Sequence, residues 1–289
     1  MRSSYVKHLF ELNLATVFIS TSGALGKFID MPTPVIIWWR SALAILFLYG
    51  FIRFRKIKLT LYSRREAIVI LISGLLTGVH WITYFYALKL SNVAIGMLSL
   101  FCYPVITALL EPIFVKIKLD VIHILLGIMV LFGIFLLVPD FSLESSHVQG
   151  ILFGLVSAIF YALRILISKQ LVVKYNGTLL MFYQLIILSV VLIPALVFMD
   201  TSGIRSEWPF VFVLALVTTA LGHTMLVHSL KHFSGSTASI ISSAQPVFGI
   251  IIAYFFLNEI PTKHTLLGGL IIFLTVIIES VRSRKTKVT

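Results

Sequence analysis

Residues 124–138 read ILLGIMVLFGIFLLV, fifteen positions without one polar side chain. As a helix this run is apolar on every face. As a strand it lacks the polar and apolar alternation that membrane barrel strands carry over about ten residues. Lipid offers no partner to a free backbone N–H or C=O, so a run of this kind in a bilayer is helical. Extended back to Val121 it covers 121–138, close to the roughly 20 residues that cross a hydrocarbon core about 30 Å thick. Nine further segments of similar character lie around it, at 8–29, 34–53, 66–88, 92–115, 149–170, 178–199, 209–230, 235–257 and 264–281. The 289 residues are 59% hydrophobic and 12% charged, with a mean hydropathy of +1.04. These values exclude a soluble globular domain. The longest polar connections, 54–65, 139–148 and 200–208, are too small to bury a core of their own.

The chain is also written twice. A shift of 142 positions places Phe18 on Phe160, Lys27 on Lys169, Thr77 on Thr219, Pro104-Val105 on Pro246-Val247, Phe114 on Phe256 and Gly127 on Gly269. Each copy holds five apolar segments. Five is odd, so the second copy enters the membrane upside down. The expected fold class is therefore an all-α integral membrane protein of ten transmembrane helices in two inverted five-helix repeats, residues 1–145 and 146–289. Inverted repeats are an architecture of secondary transporters, with the substrate site between the halves near mid-membrane.

Charge placement orients this arrangement. With both termini on one side, that side carries 17 of the 23 Lys and Arg, the other carries 4, and Arg40 and Arg164 fall within spans. The basic side is the cytoplasm. Residues 53–65 hold six basic side chains and their repeat counterparts 195–207 hold only Arg205, as expected of equivalent loops on opposite sides. Asp30, Asp140, Glu144, Asp200, Glu207 and Glu259 lie in the sparsely basic loops. The expectation is a multi-pass protein of the plasma (inner) membrane with cytoplasmic termini. In this setting the net charge of +12 reflects orientation, and no nucleic-acid partner is expected. A signal peptide is rejected for the N-terminus, which contains Glu11 and Asn13 and has a repeat partner in 150–171. The single Cys102 excludes an intramolecular disulfide, and the Asn176-Gly177-Thr178 sequon falls on the cytoplasmic side.

Ala87-Leu88-Lys89-Leu90-Ser91-Asn92-Val93-Ala94 leads into Tyr103-Pro104-Val105, and Ser229-Leu230-Lys231-His232 leads into Gln245-Pro246-Val247. These two regions resemble the signature regions of the EamA-type transporters of the drug/metabolite transporter superfamily. Asn258-Glu259-Ile260-Pro261-Thr262 with Gly268-Gly269 is similar to that family's acidic turn and final helix. The first-half counterpart of Glu259 is Ile117, between Lys116 and Lys118, so the turn acid occurs once. The resemblance implies a ten-helix permease that moves small metabolites or drugs, often outward.

Polar and aromatic residues at helical spacing mark the surface such a permease would use. Thr77, His80, Trp81, Tyr84 and Leu88 share one face of the third span, combining amphipathic rings with an imidazole. They form the leading candidate site, and a helix-packing face is the alternative. Thr219, Gly222, His223 and Leu226 form the corresponding face of the eighth span. In the sixth, Ser157, Tyr161, Arg164 and Ser168 align, with Tyr161 the candidate cavity residue and Arg164 able to snorkel to the cytoplasm. Arg40 lies seven residues into the second span, a depth that calls for a partner, a wet cavity or an anionic substrate group; an arginine there is typical of the resembled family. Tyr103-Pro104 and Gln245-Pro246 read as mid-helix breaks, with Tyr103 and Gln245 as substrate candidates and the prolines as hinges for alternating access or as static kinks. Glu11, His80 and His223 are candidate proton carriers.

The rival classes are weaker. Ser234-Gly235-Ser236 near His232 is the nearest approach to a catalytic serine, and helix-start chemistry accounts for it. His228 and His232 lack a third metal ligand. No Walker A motif, dinucleotide fingerprint or metal helix motif is present, so no cofactor and no ATP-driven step is expected. A channel would accept the same helices, but inverted repeats with hinged prolines favour alternating access. The expected partners are a small-molecule substrate and the lipid bilayer.

Overall fold

The computed structural model describes residues 2–115, 121–137, 142 and 144–286. Ile117 with its flanking lysines, Val138 and Asp140 lie outside the described residues. Among those described there is no strand. The helices run α1 Arg2–Phe28, α2 Thr33–Phe54, α3 Arg64–Leu90, α4 Val93–Leu100, α5 Tyr103–Phe114, α6 Val121–Leu137, α7 Ser146–Leu171, α8 Gly177–Val191, α9 Ile193–Phe198 and α10 Ile204–Val213. A π-helix, Leu214–His223, follows, then α11 Thr224–Ser229, α12 Gly235–Ser242, α13 Gln245–Leu257 and α14 Lys263–Thr286.

Among the described residues six segments are long and apolar enough to cross a membrane: Val6–Phe28, Thr33–Phe54, Arg64–Leu90, Val93–Phe114, Ser146–Leu171 and Ile204–Ser229. The remaining four expected spans overlap the shorter apolar helices Ile124–Leu137, Gly177–Val191, Gln245–Leu257 and Lys263–Thr275, which fall below that length. The fully apolar run of α6 resolves into two faces. Leu126, Val130, Ile134 and Leu137 are buried, while Leu125, Ile128, Leu131, Phe132 and Phe135 are exposed. An outer face this apolar is compatible with lipid rather than water.

Helix ends are closed by the same devices in both halves. Asn92 Oδ1 accepts from the Ile95 N–H at 2.8 Å at the start of α4, and Ser234, 142 positions on, accepts from the Thr237 N–H at 3.1 Å at the start of α12. Ser234 is thus a helix cap. Lys27 Nζ donates to the Lys89 and Ser91 carbonyls at 3.1 and 2.7 Å, and its counterpart Lys169 donates to the Leu230 carbonyl at 2.7 Å. In each case an ammonium rests on the carbonyl end of a helix, where the helix dipole is negative.

The fourth and ninth expected spans are each broken, at Phe101–Cys102 and at Ser243–Ala244. Pro104 and Pro246 do not sit in a helix interior, as the sequence reading has it, but within the first two positions of α5 and α13. There a missing N–H falls among the donors that a helix start leaves free in any case. Small residues set the closest packing. A Cβ on Gly154 would collide with the Ser99 side chain, and one on Gly150 would lie 2.8 Å from Ser91, so α7 docks directly on the α3–α4 junction.

Candidate functional site

The central cavity is walled by α1, α3, α4, α7, the π-helix and the start of α13. Its lining residues are Ile19, Ser22, His80, Trp81, Tyr84, Leu100, Tyr161, His223 and Gln245. Of the candidates from sequence, His80, Trp81, Tyr84, Tyr161, His223 and Gln245 therefore meet around one space. The free volume is about 10 Å³, room for roughly one water. The walls are closed on each other.

Ring stacking holds them. The His80 and Tyr161 rings lie 4.2 Å apart and nearly parallel at 6°. Trp81 meets His223 at 5.1 Å, and Tyr103 meets Tyr161 at 4.5 Å. The Ser157 hydroxyl donates to the His80 carbonyl at 2.8 Å and lies 2.7 Å from His80 Nδ1. Because that hydroxyl has a single hydrogen, Nδ1 is the donor to Ser157 and carries a proton. In the neutral imidazole Nε2 is then an acceptor.

Arg40 is fully buried. Its guanidinium sits 3.9 Å above the Trp81 ring, and Nε and Nη2 donate to the Thr219 hydroxyl at 3.0 and 2.8 Å. Thr219 in turn donates to the Leu214 carbonyl at 2.9 Å, five residues back, within the π-helix. A desolvated cation over an indole contributes about 2 kcal/mol. Arg164, which has the reach to snorkel to the cytoplasm, does not. It is 1% exposed, donates through Nη2 to Gln184 Oε1 at 3.2 Å and to Met181 Sδ at 3.4 Å, and lies 5.9 Å from the Tyr161 ring. Gln184 Nε2 donates onward to Ser73 and Ser168 at 2.6 and 3.2 Å, fixing α8 to α3 and α7.

Several polar tips end without a partner. Trp81 Nε1, Tyr161 Oη, His223 Nδ1, Gln245 Nε2, Arg40 Nη1 and Arg164 Nε and Nη1 are buried and unbonded. Each such group is expensive in a folded core. Four of them, on Trp81, Tyr161, His223 and Gln245, belong to residues that line one cavity, and the two guanidiniums lie behind its rings.

Other candidates lie elsewhere. Thr77 is buried on the same face of α3, but its hydroxyl donates to the Ser73 carbonyl at 2.8 Å and it does not line the cavity. Glu11 sits near one end of the bundle, 3.1 Å from His8 Nδ1, and lines a separate cleft of about 770 Å³ with Arg55, Asn176 and His228. His8 stacks on His232 at 3.5 Å beside it. Among the described residues no group of three or more His, Cys, Asp or Glu is placed to hold a metal. Sequence reasoning missed Gln184, whose signal was a single amide in an otherwise apolar span. It also missed Ser22 and Leu100 in the lining, and the π-helix.

The comparisons follow the same lines. The pseudopaline exporter CntI of Pseudomonas aeruginosa is 26% identical over 263 residues, 90% of each chain. The uncharacterized transporter YxxF of Bacillus subtilis is 24% identical over 97% of this chain and 92% of its own. An S-adenosylmethionine uptake transporter of Rickettsia prowazekii is 29% identical over 115 residues, 40% of this chain and 39% of its own. A crystal structure superposes with a TM-score of 0.72 over 95% of this chain and 97% of that one at 16% identity, a likeness of fold. The three sequence relatives are named as transporters, not as enzymes. Residues 9–138 and again 148–281 match the EamA-like transporter family, and this multi-pass membrane protein belongs to it.

Proposed function

We propose that the chain is a secondary transporter that exports small organic metabolites, such as amino acids or amphiphilic drugs, by alternating access. Ten helices in two inverted repeats, residues 1–145 and 146–289, cross the plasma (inner) membrane with both termini cytoplasmic. The twofold family match and the paired caps at Asn92 and Ser234 support the repeat. The observation that carries the function is the convergence of Trp81 Nε1, Tyr161 Oη, His223 Nδ1 and Gln245 Nε2, all unpaired, on one closed cavity. Unsatisfied polar tips among aromatic walls suit an organic solute that supplies the missing bonds when the walls part. Arg40 over Trp81 and Tyr103 against Tyr161 extend the site. The helix breaks before Pro104 and Pro246 are its hinges. Closure to about 10 Å³ favours alternating access over an open channel. The outward direction follows the relative that matches over 90% of both chains and is named an exporter. Glu11, His80 and His223 remain the candidates for proton coupling.

Flux in proteoliposomes tests the proposal. Amino acids, purines and cationic drugs are offered with and without a pH gradient, and saturable flux that depends on Trp81 is expected. Non-saturable leakage identical in Trp81→Ala would refute it.

A further inference from the structure

We infer that the transported solute carries a carboxylate, bound by Arg40 and Arg164 from two sides of the central cavity. The inference rests on the transport reading and names its substrate class. Both guanidiniums are buried within the bundle, Arg40 on α2 and Arg164 on α7, and among the described residues no Asp or Glu is buried with them. Their bonds go to neutral groups only: the Thr219 hydroxyl, the Gln184 carbonyl oxygen and the Met181 sulfur. Two cations in a low dielectric without a counter-charge are unfavourable, and ring contacts offset that only in part.

A guanidinium has five N–H donors, and buried donors are as a rule hydrogen-bonded. Here Arg164 bonds through Nη2 alone, and Arg40 leaves Nη1 free. Each cation also lies against a ring that walls the cavity, Arg40 on Trp81 and Arg164 on Tyr161. A solute that parts these rings therefore reaches both charges. The remaining unpaired groups point the same way. Trp81 Nε1 and Gln245 Nε2 are donors only, Tyr161 Oη can donate, and His223 Nδ1 donates or accepts with its tautomer. The site has a surplus of donors over acceptors. Its complement is an acceptor-rich anion with an apolar body, and a carboxylate matches the fork of a guanidinium.

The test uses the full chain in proteoliposomes and three probes of one shape: N-acetylphenylalanine as the anion, its amide as the neutral form, and phenylalanine amide as the cation. Saturable flux of the anion at least tenfold above the other two is expected. Arg164→Gln and Arg40→Gln should each lower it at least tenfold, with partial recovery in the lysine variants. The melting temperature of ligand-free Arg164→Gln protein should be unchanged or higher, since an uncompensated charge has gone. Saturable flux of the neutral or cationic probe alone overturns the carboxylate and leaves the transport reading standing. No flux and no thermal shift with any probe overturns both. A clear fall in melting temperature or failure to fold for Arg164→Gln assigns Arg164 a structural role and likewise overturns the inference.

Discussion

The Tyr103 hydroxyl donates to the Ser239 carbonyl at 3.2 Å, joining the first residue of α5 to the turn of α12 that precedes the second helix break. The same carbonyl accepts from the Ser243 hydroxyl at 2.9 Å. The two interrupted spans are therefore tied where each is broken. Cys102, the single cysteine, is buried in the first break. Tyr103→Phe removes a bond contributing about 1 kcal/mol, which multiplies local opening by about fivefold. Labelling of Cys102 by a membrane-permeant maleimide should accelerate by that factor, and an unchanged rate would show that the tie does not govern opening.

Thr219 positions Arg40. Thr219→Val removes the acceptor of two guanidinium bonds, an effect of roughly 1.5–3 kcal/mol for a charged donor. Flux should fall more than tenfold, and Thr219→Ser should restore it. Equal flux in the valine and serine variants would remove Thr219 from the mechanism.

Trp81 is buried beneath Arg40 and walls the cavity. Its truncation to alanine should abolish saturable flux and destabilise the fold by about 3–5 kcal/mol, while membrane-fraction blots still detect inserted protein. Trp81→Phe keeps a ring beneath the cation but loses the indole donor, and should retain part of the flux.

Gly154→Leu should destabilise by about 1–3 kcal/mol, because even its Cβ meets Ser99. Gly50 offers the internal control. Nothing lies within 4 Å of a Cβ built there, so Gly50→Leu should leave the melting temperature in detergent nearly unchanged. Equal shifts for the two variants would contradict the docking of α7 on the α3–α4 junction.

Lys174 donates to Glu66 Oε1 at 2.6 Å, and that hydrogen bond holds its ammonium above the usual lysine range. A raised pKa means stability that is present below the unfolded value and lost as pH rises through the folded one. The advantage of wild type over Lys174→Met in melting temperature should be small, constant across neutral pH and gone well above about 10.4. It should also shrink in high salt.

Much of this was legible before any coordinates. Apolar runs such as 124–138 announce helices because lipid forces every backbone group to pair locally, and the 142-residue shift aligns Asn92 with Ser234, which cap their helices alike. The stripe on α3 was readable because helical spacing places His80, Trp81 and Tyr84 together. The burial of Arg164 was not readable. A lone arginine near a span end looks the same whether it snorkels or turns inward, and the deciding partner, Gln184, lies on another helix. The prolines were read as interior kinks because sequence does not say on which side of a proline the helix stops. The π-helix carries no periodic signature at all, since one widened turn shifts the register of a few side chains only.

That π-helix also distinguishes one proposed repeat from the other. Its first-half counterpart is the uninterrupted α3. On the alternating-access reading proposed above, identical inverted halves would make opening to one face the twofold-related counterpart of opening to the other, with the two conformations equally populated without ligand. Among the described residues the widened segment that carries Thr219 exists in one half only, so that equivalence is broken and the two wells differ in depth. On that reading the empty protein has an intrinsic resting side, set by its own backbone before any gradient is applied.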